Sequence, residues 1–161
     1  MPKNEVVSIL PALVFLVPFG FGVLTYLIYG LPRYLRQRRG GPVEMSHASA
    51  VGRNALVMIG TLATAAIAVG MLWQMADANA VLTTWGEELW VDGLSMVLVL
   101  VISLIGLVAA IYSLRYMHHE TAIHFRDVTE QRLNTFYCLL MLFIATMLWG
   151  VVVNNVIMLY V

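Results

Sequence analysis

Charge is what this sequence has least of. Lys and Arg number 9 and Asp and Glu number 9 among 161 residues, so 11% of the chain is charged, where a soluble domain carries about 25%. The chain cannot cover a water-facing surface with so few charges, and lipid must cover most of it. The two signs balance, so there is no basic excess of the kind that nucleic-acid binding uses, and no nucleic acid is expected as a partner. Cysteine is nearly absent. Cys138 is the single one, which excludes an intrachain disulfide and a cysteine-based metal site. It lies in an apolar run and reads as a buried, inert thiol. Gly-rich phosphate loops and catalytic-triad arrangements are also missing. The opening Met1-Pro2-Lys3-Asn4-Glu5 is not a basic leader region, so the apolar run that follows is expected to be a first spanning helix rather than a cleaved signal. No Arg-rich, acid-poor transit segment is visible, which points to a prokaryotic plasma membrane.

What is present is apolar. Hydrophobic residues make up 61% of the chain, and the mean hydropathy is +0.85. About 20 apolar residues suffice to cross a bilayer. Four runs meet that length: residues 6–29, 55–75, 94–114 and 135–153. The fold expected is an all-α membrane protein, one helical domain over 1–161, with about four transmembrane helices. The short apolar piece 155–161 after Asn154 reads as the start of a fifth. Pro11 and Pro18 interrupt the first run, which helices in lipid tolerate when neighbours satisfy the freed carbonyls. Gly20 and Gly22 leave a smooth patch there. In the second run Gly60, Ala63, Ala66 and Gly70 recur at three- and four-residue steps, a spacing suited to close helix packing.

The connectors set an orientation. Residues 31–53 hold Arg33, Arg36, Arg38, Arg39 and Arg53 against Glu44, and residues 115–134 hold Arg115, Arg126 and Arg132. These two segments therefore carry eight of the nine basic residues, and both are expected in the cytoplasm. The connector 76–93 has Asp77, Glu87, Glu88 and Asp92 and no Lys or Arg, with Trp85 and Trp90 as aromatic-belt residues. It belongs outside with the N-terminus, and four crossings put the C-terminus there too. Arg33, Arg36, Arg38 and Arg39 are expected to contact anionic lipid headgroups or, alternatively, to dock a soluble partner.

Read this way, no Asp, Glu, Lys, Arg or His falls inside a span. Membrane proteins keep embedded charges mainly where an ion path needs them, so the chain lacks an ion relay of its own. Ser103, Thr61, Thr64 and Thr146 are expected to bond to their own helices rather than guide protons. His118, His119 and His124 sit in a connector at a spacing that suits a metal poorly, and facing haem ligands inside the spans are missing. No cofactor, metal or catalytic residue is expected. Asn154-Asn155 reads as a helix cap.

Trp90-Val91-Asp92-Gly93-Leu94-Ser95, followed by an apolar span and then Tyr112-Ser113-Leu114-Arg115-Tyr116-Met117, resembles a known pattern, as does Asn134-Thr135-Phe136-Tyr137 followed by 139–145 and Asn154-Asn155. Together they resemble the N-terminal part of the antiporter-like subunits. That family covers the large membrane-arm subunits of respiratory NADH:quinone oxidoreductase (chain 5 type), Mrp cation/proton antiporters and membrane-bound hydrogenases. The resemblance covers residues 85–161, and the first half matches in layout only. It singles out Asp92, Gly93, Leu94, Ser95, Tyr112, Ser113, Tyr116 and Met117 as structural motif positions. By their chemistry, Asp92 and Ser95 can cap the third helix, with Gly93 allowing a tight entry. Tyr112 and Tyr116 fall one turn apart near the inner interface.

Family members have many more helices, and their embedded glutamate and lysines lie beyond the region matched, so none of those positions carries over. A split gene, a diverged short subunit or a partial chain all fit. The resemblance implies a membrane-scaffold portion of an antiporter-like subunit in a proton- or cation-translocating complex. The remaining helices and the chemistry would come from other membrane subunits. The alternative is a small four-helix scaffold or assembly protein that binds other helices through the Gly/Ala face of the second span. A free-standing transporter is disfavoured by the uncharged interior.

Overall fold

The computed structural model describes residues 5–31, 35, 47–78, 81–84, 88–124 and 129–154, with the backbone alone for 5, 47–50, 78, 117–124 and 129–132. The elements in order are β1 (Glu5–Val7), α1 (Leu10–Thr25) ending in a π-helical turn (Tyr26–Gly30), α2 (His47–Ala78), β2 (Val81–Thr84), β3 (Leu89–Val91), α3 (Gly93–His124) and α4 (Thr129–Val152). Among the described residues, four stretches are long and apolar enough to cross a membrane: Leu10–Gly30, Val51–Asp77, Gly93–Tyr116 and Leu133–Val152. The protein is an α-helical, multi-pass membrane protein.

The helices close into a ring. α1 packs on α2 and α4, and α3 packs on the same two from the other side. Between helices in lipid there is no hydrophobic driving force, so close backbone approach and dispersion must hold them. The glycines show where this happens. A side chain on Gly60 of α2 would meet Met141 Cε at 2.6 Å and Phe21 Cγ at 2.9 Å, and one on Gly22 of α1 would meet Met141 Cβ at 3.0 Å. α1, α2 and α4 therefore meet around Met141, which is fully buried. The expected small-residue face of the second span is corrected in part. Gly60 lies inside the ring, Ala66 faces outward, and Ala63 and Gly70 are half-buried. The buried face runs instead through Arg53, Val57, Gly60, Thr61, Thr64, Ala68 and Met71. Gly20 borders open space.

A three-stranded sheet caps one end of the ring, a feature absent from the expected architecture. β1 pairs parallel with β2 (Glu5 opposite Val81, Val7 opposite Thr83), and β2 pairs antiparallel with β3 (Leu82 opposite Val91, Thr84 opposite Leu89). Its inward side chains Leu82, Leu89 and Val91 are buried on Ala12, Phe15, Met71, Met96 and Leu148. Outside the spans water is the competitor, so each such burial contributes about 1.5–3 kcal/mol.

Ser8 ties the cap together. Its N–H donates to Thr83 O (3.0 Å), its hydroxyl donates to Gln74 Oε1 (2.9 Å), and its carbonyl accepts from the Thr84 hydroxyl. The first span accordingly starts at Leu10 rather than residue 6. β-Branched Val6 and Val7 are drawn into the sheet, and α1 begins where Pro11 can occupy a first-turn position without losing a hydrogen bond. Past α4, Val153 bridges to Leu89 and Asn154 N–H donates to Glu88 O (2.9 Å). The expected fifth-helix start at 155–161 lies outside the described residues.

Candidate functional site

The motif residues sit where the sheet hands over to α3. Asp92 directly follows β3, and its Oδ1 accepts from Ser95 N–H (2.8 Å) while its carbonyl accepts from Met96 N–H (2.9 Å). A helix start leaves several N–H groups without internal partners, and Asp92 takes up one with a negative charge at the positive end of the helix dipole. Gly93 does not have the role expected of it. Its surroundings are open, with nothing within 4 Å of an added Cβ, and its backbone is not left-handed. Leu94 is exposed, as are Tyr112 and Tyr116 near the far end of α3. The two tyrosine rings stack at 5.7 Å with planes 14° apart, an exposed aromatic pair beside exposed Arg115. Ser113 is buried, and its hydroxyl donates to Ala110 O (3.0 Å). Met117 lies on α3, with its side chain outside the described residues. The same holds for His118, His119 and His124, while Arg33, Arg36, Arg38 and Arg39 lie outside the described residues altogether.

A second constellation went unnoticed in the sequence. Arg53, assigned to a connector, is inside α2 and 3% exposed, and among the described residues it is the one buried charged side chain. The statement that no charge lies in a span is corrected: Val51–Asp77 includes Arg53 at one end and exposed Asp77 at the other, and Gly93–Tyr116 includes exposed Arg115 near its end. Arg53 Nη1 donates to Asn134 Oδ1 (2.9 Å), its Nε donates to Asn54 Oδ1 (3.3 Å), and its guanidinium lies 5.4 Å from the centre of the Tyr137 ring. Asn134, 1% exposed, uses its Nδ2 to donate to Tyr29 O (3.0 Å). Tyr137 OH donates to Ser113 O (3.4 Å). Three side chains thus join all four helices at the end opposite the sheet. A buried cation needs such partners, because an unpaired one costs several kcal/mol. The sequence signal was the spacing Arg53, Val57, Thr61, Thr64, which continues the buried face of α2 by one turn.

The remaining hydroxyls expected along the spans, buried Thr61, Thr64 and Ser103 and exposed Thr146, serve their own helices. Thr61 donates to Val57 O (3.0 Å), Thr64 to Gly60 O (2.8 Å), Ser103 to Val99 O (2.7 Å) and Thr146 to Phe143 O (2.9 Å). No cluster of metal-ligating side chains occurs among the described residues.

Residues 86–125, from the β2–β3 hairpin to just past the end of α3, match the family described as NADH-Ubiquinone oxidoreductase (complex I), chain 5 N-terminus. This stretch is similar to the N-terminal part of the antiporter-like subunits. A curated relative, "Na(+)/H(+) antiporter subunit A1" of Staphylococcus aureus (strain bovine RF122 / ET3-1), is 37% identical over 73 residues, which are 45% of this chain and 8% of that protein. The chain therefore spans a small part of the relative's length. No solved structure matches. In the antiporter-like stretch the Asp92 cap and the stacked Tyr112–Tyr116 pair mark the two ends of one span.

Proposed function

We propose that the chain is a wall-forming, non-catalytic portion of an antiporter-like subunit within a proton- or cation-translocating complex. The complex would be driven by redox chemistry, as in NADH:quinone oxidoreductase or hydrogenase assemblies, or by a cation gradient, as in Mrp-type ones. The observation that carries this reading is the antiporter-like stretch folded as a complete span, capped by Asp92 and built into a ring of four helices. The ring's interior supports a wall rather than a relay. Arg53, its buried charge among the described residues, is held by Asn134, Asn54 and the Tyr137 ring. The buried Thr and Ser hydroxyls of the spans are engaged with their own helix backbones. Proton or cation transfer would then belong to partner membrane subunits, including one that supplies the remaining antiporter helices.

The orientation proposed is N-terminus outside a prokaryotic inner membrane, with 31–53 and 115–134 in the cytoplasm. In support, β1, the β2–β3 hairpin and Val153 share one end of the ring through the sheet, so Leu31, Arg53 and Arg115, the described residues that border or belong to the two basic segments, fall at the other, in keeping with the positive-inside rule. The proposed domain is a single helical unit. The scaffold alternative loses part of its footing, because Gly60 is already occupied by Met141 and Phe21.

The test is affinity purification of the chain from native membranes in mild detergent, followed by mass spectrometry. Co-purification of large multi-span subunits with embedded Glu and Lys is the expected result. Recovery of the chain alone, or with unrelated proteins, overturns the reading.

A further inference from the structure

The inner end of α1 does not follow the register of the rest of that helix. Its buried positions step from Pro18 to Gly22 to Thr25 by four and three, as an α-helix should. The next is Gly30, a step of five. Over Tyr26–Gly30 the chain forms a π-turn, in which Leu31 N–H donates to Tyr26 O, five residues back. One residue of slip is about 100° of helix rotation, given 3.6 residues per turn. Without it Tyr29 would occupy the buried position. With it Gly30 does, Tyr29 becomes half-buried, and its ring tip lies against Gly52 of α2, where the missing side chain admits it. Single π-turns inside α-helices are rare and cost hydrogen-bond geometry, so something must hold this one.

The group placed to do so is Asn134 of α4. Its Nδ2 reaches the carbonyl of Tyr29, 105 residues away in sequence, at 3.0 Å. Its Oδ1 is fixed by Arg53 Nη1 at 2.9 Å, so the amide cannot turn over without setting its own N–H₂ against the guanidinium. The arrangement reads from α2 through α4 into α1: Arg53 orients Asn134, and Asn134 holds the carbonyl of the π-turn. We infer that Asn134 is a register lock. Its amide donor keeps the inner end of α1 in the slipped, π-helical state, and loss of that donor lets Tyr26–Gly30 wind back into α-helix and turn Leu31 by one residue. The lock thereby fixes the direction of the chain at Leu31, after which Arg33, Arg36, Arg38 and Arg39 follow in sequence. The inference does not depend on the pump reading above.

Asn134→Asp separates the two ends of the amide. It keeps an acceptor for Arg53 and removes the donor to Tyr29 O. Oriented-sample solid-state NMR of the isotope-labelled full chain in lipid bilayers reads the helix periodicity directly. The native chain should show a phase break of one residue, about 100°, after Thr25. In Asn134→Asp the periodicity of α1 should run unbroken to Leu31. The pattern of α3 over 94–114 is the internal check that the bundle is intact. If that also changes, Arg53→Met with Asn134→Leu removes both polar groups together, and α1 should again be unbroken. A phase break that persists in these variants, or one absent from the native chain, overturns the inference.

Discussion

Substituting Arg53 and Asn134 singly and together tests the polar junction between α2 and α4. The bond joins a guanidinium 3% exposed to an amide 1% exposed at 2.9 Å. Hydrogen bonds to charged groups contribute about 1.5–3 kcal/mol in water-soluble proteins, whereas interhelical polar pairs in membranes average about 0.6 and reach about 1.7 kcal/mol, since the unfolded helices find other partners in lipid. Arg53 keeps Asn54 and the Tyr137 ring when Asn134 is removed, which lowers the loss. The coupling energy between Arg53→Met and Asn134→Leu should therefore be about 1 kcal/mol. Asn134→Leu alone should cost more than the coupling, about 2 kcal/mol, because it also strips the donor from Tyr29 O. Reversible unfolding in mixed detergent–SDS micelles measures all four proteins. Additivity of the two single changes within about 0.3–0.5 kcal/mol would refute the claim that the bond ties the bundle.

Other consequences follow from particular contacts. Gly60→Val should destabilise the bundle by about 1–3 kcal/mol through overpacking against Met141 and Phe21, while Gly93→Ala, which meets open space, should leave the unfolding midpoint unchanged. Asp92→Ala should cost about 1 kcal/mol as a lost cap and speed amide exchange at Ser95, whose N–H it releases. Thr84→Val removes the hydroxyl that bonds to Ser8 O and should raise exchange at the amides of Ser8 and Thr83, leaving those of α3 over 98–110 as slow as before.

Hydropathy made the four spans legible because each is an unbroken apolar stretch of spanning length. It misjudged ends of the second and third because a charge was taken to end a helix. Arg53 is helical and buried because Asn134, 81 residues away, and Tyr137 receive it, and no local pattern announces a partner at that distance. α3 likewise continues past Arg115 to His124, since helix geometry does not stop at the edge of the lipid. The sheet escaped notice because its strands are three or four residues long, and Val6 and Val7 merge into the apolar run that follows them. The Asp92 cap could be read from residue types, whereas the role expected of Gly93 could not survive the open space around it. The π-turn has no sequence signature at all. It became visible only when the buried residues of α1 changed step between Thr25 and Gly30.

The central claim is that this chain shapes a translocation module without moving ions itself. Its most direct test is ion flux in proteoliposomes holding either the purified chain alone or the native complex that contains it. The account predicts no proton or cation flux above empty liposomes for the chain alone, and driven flux for the complex that is lost when the chain is removed. Flux catalysed by the chain alone, or undiminished flux by a complex lacking it, would contradict the account.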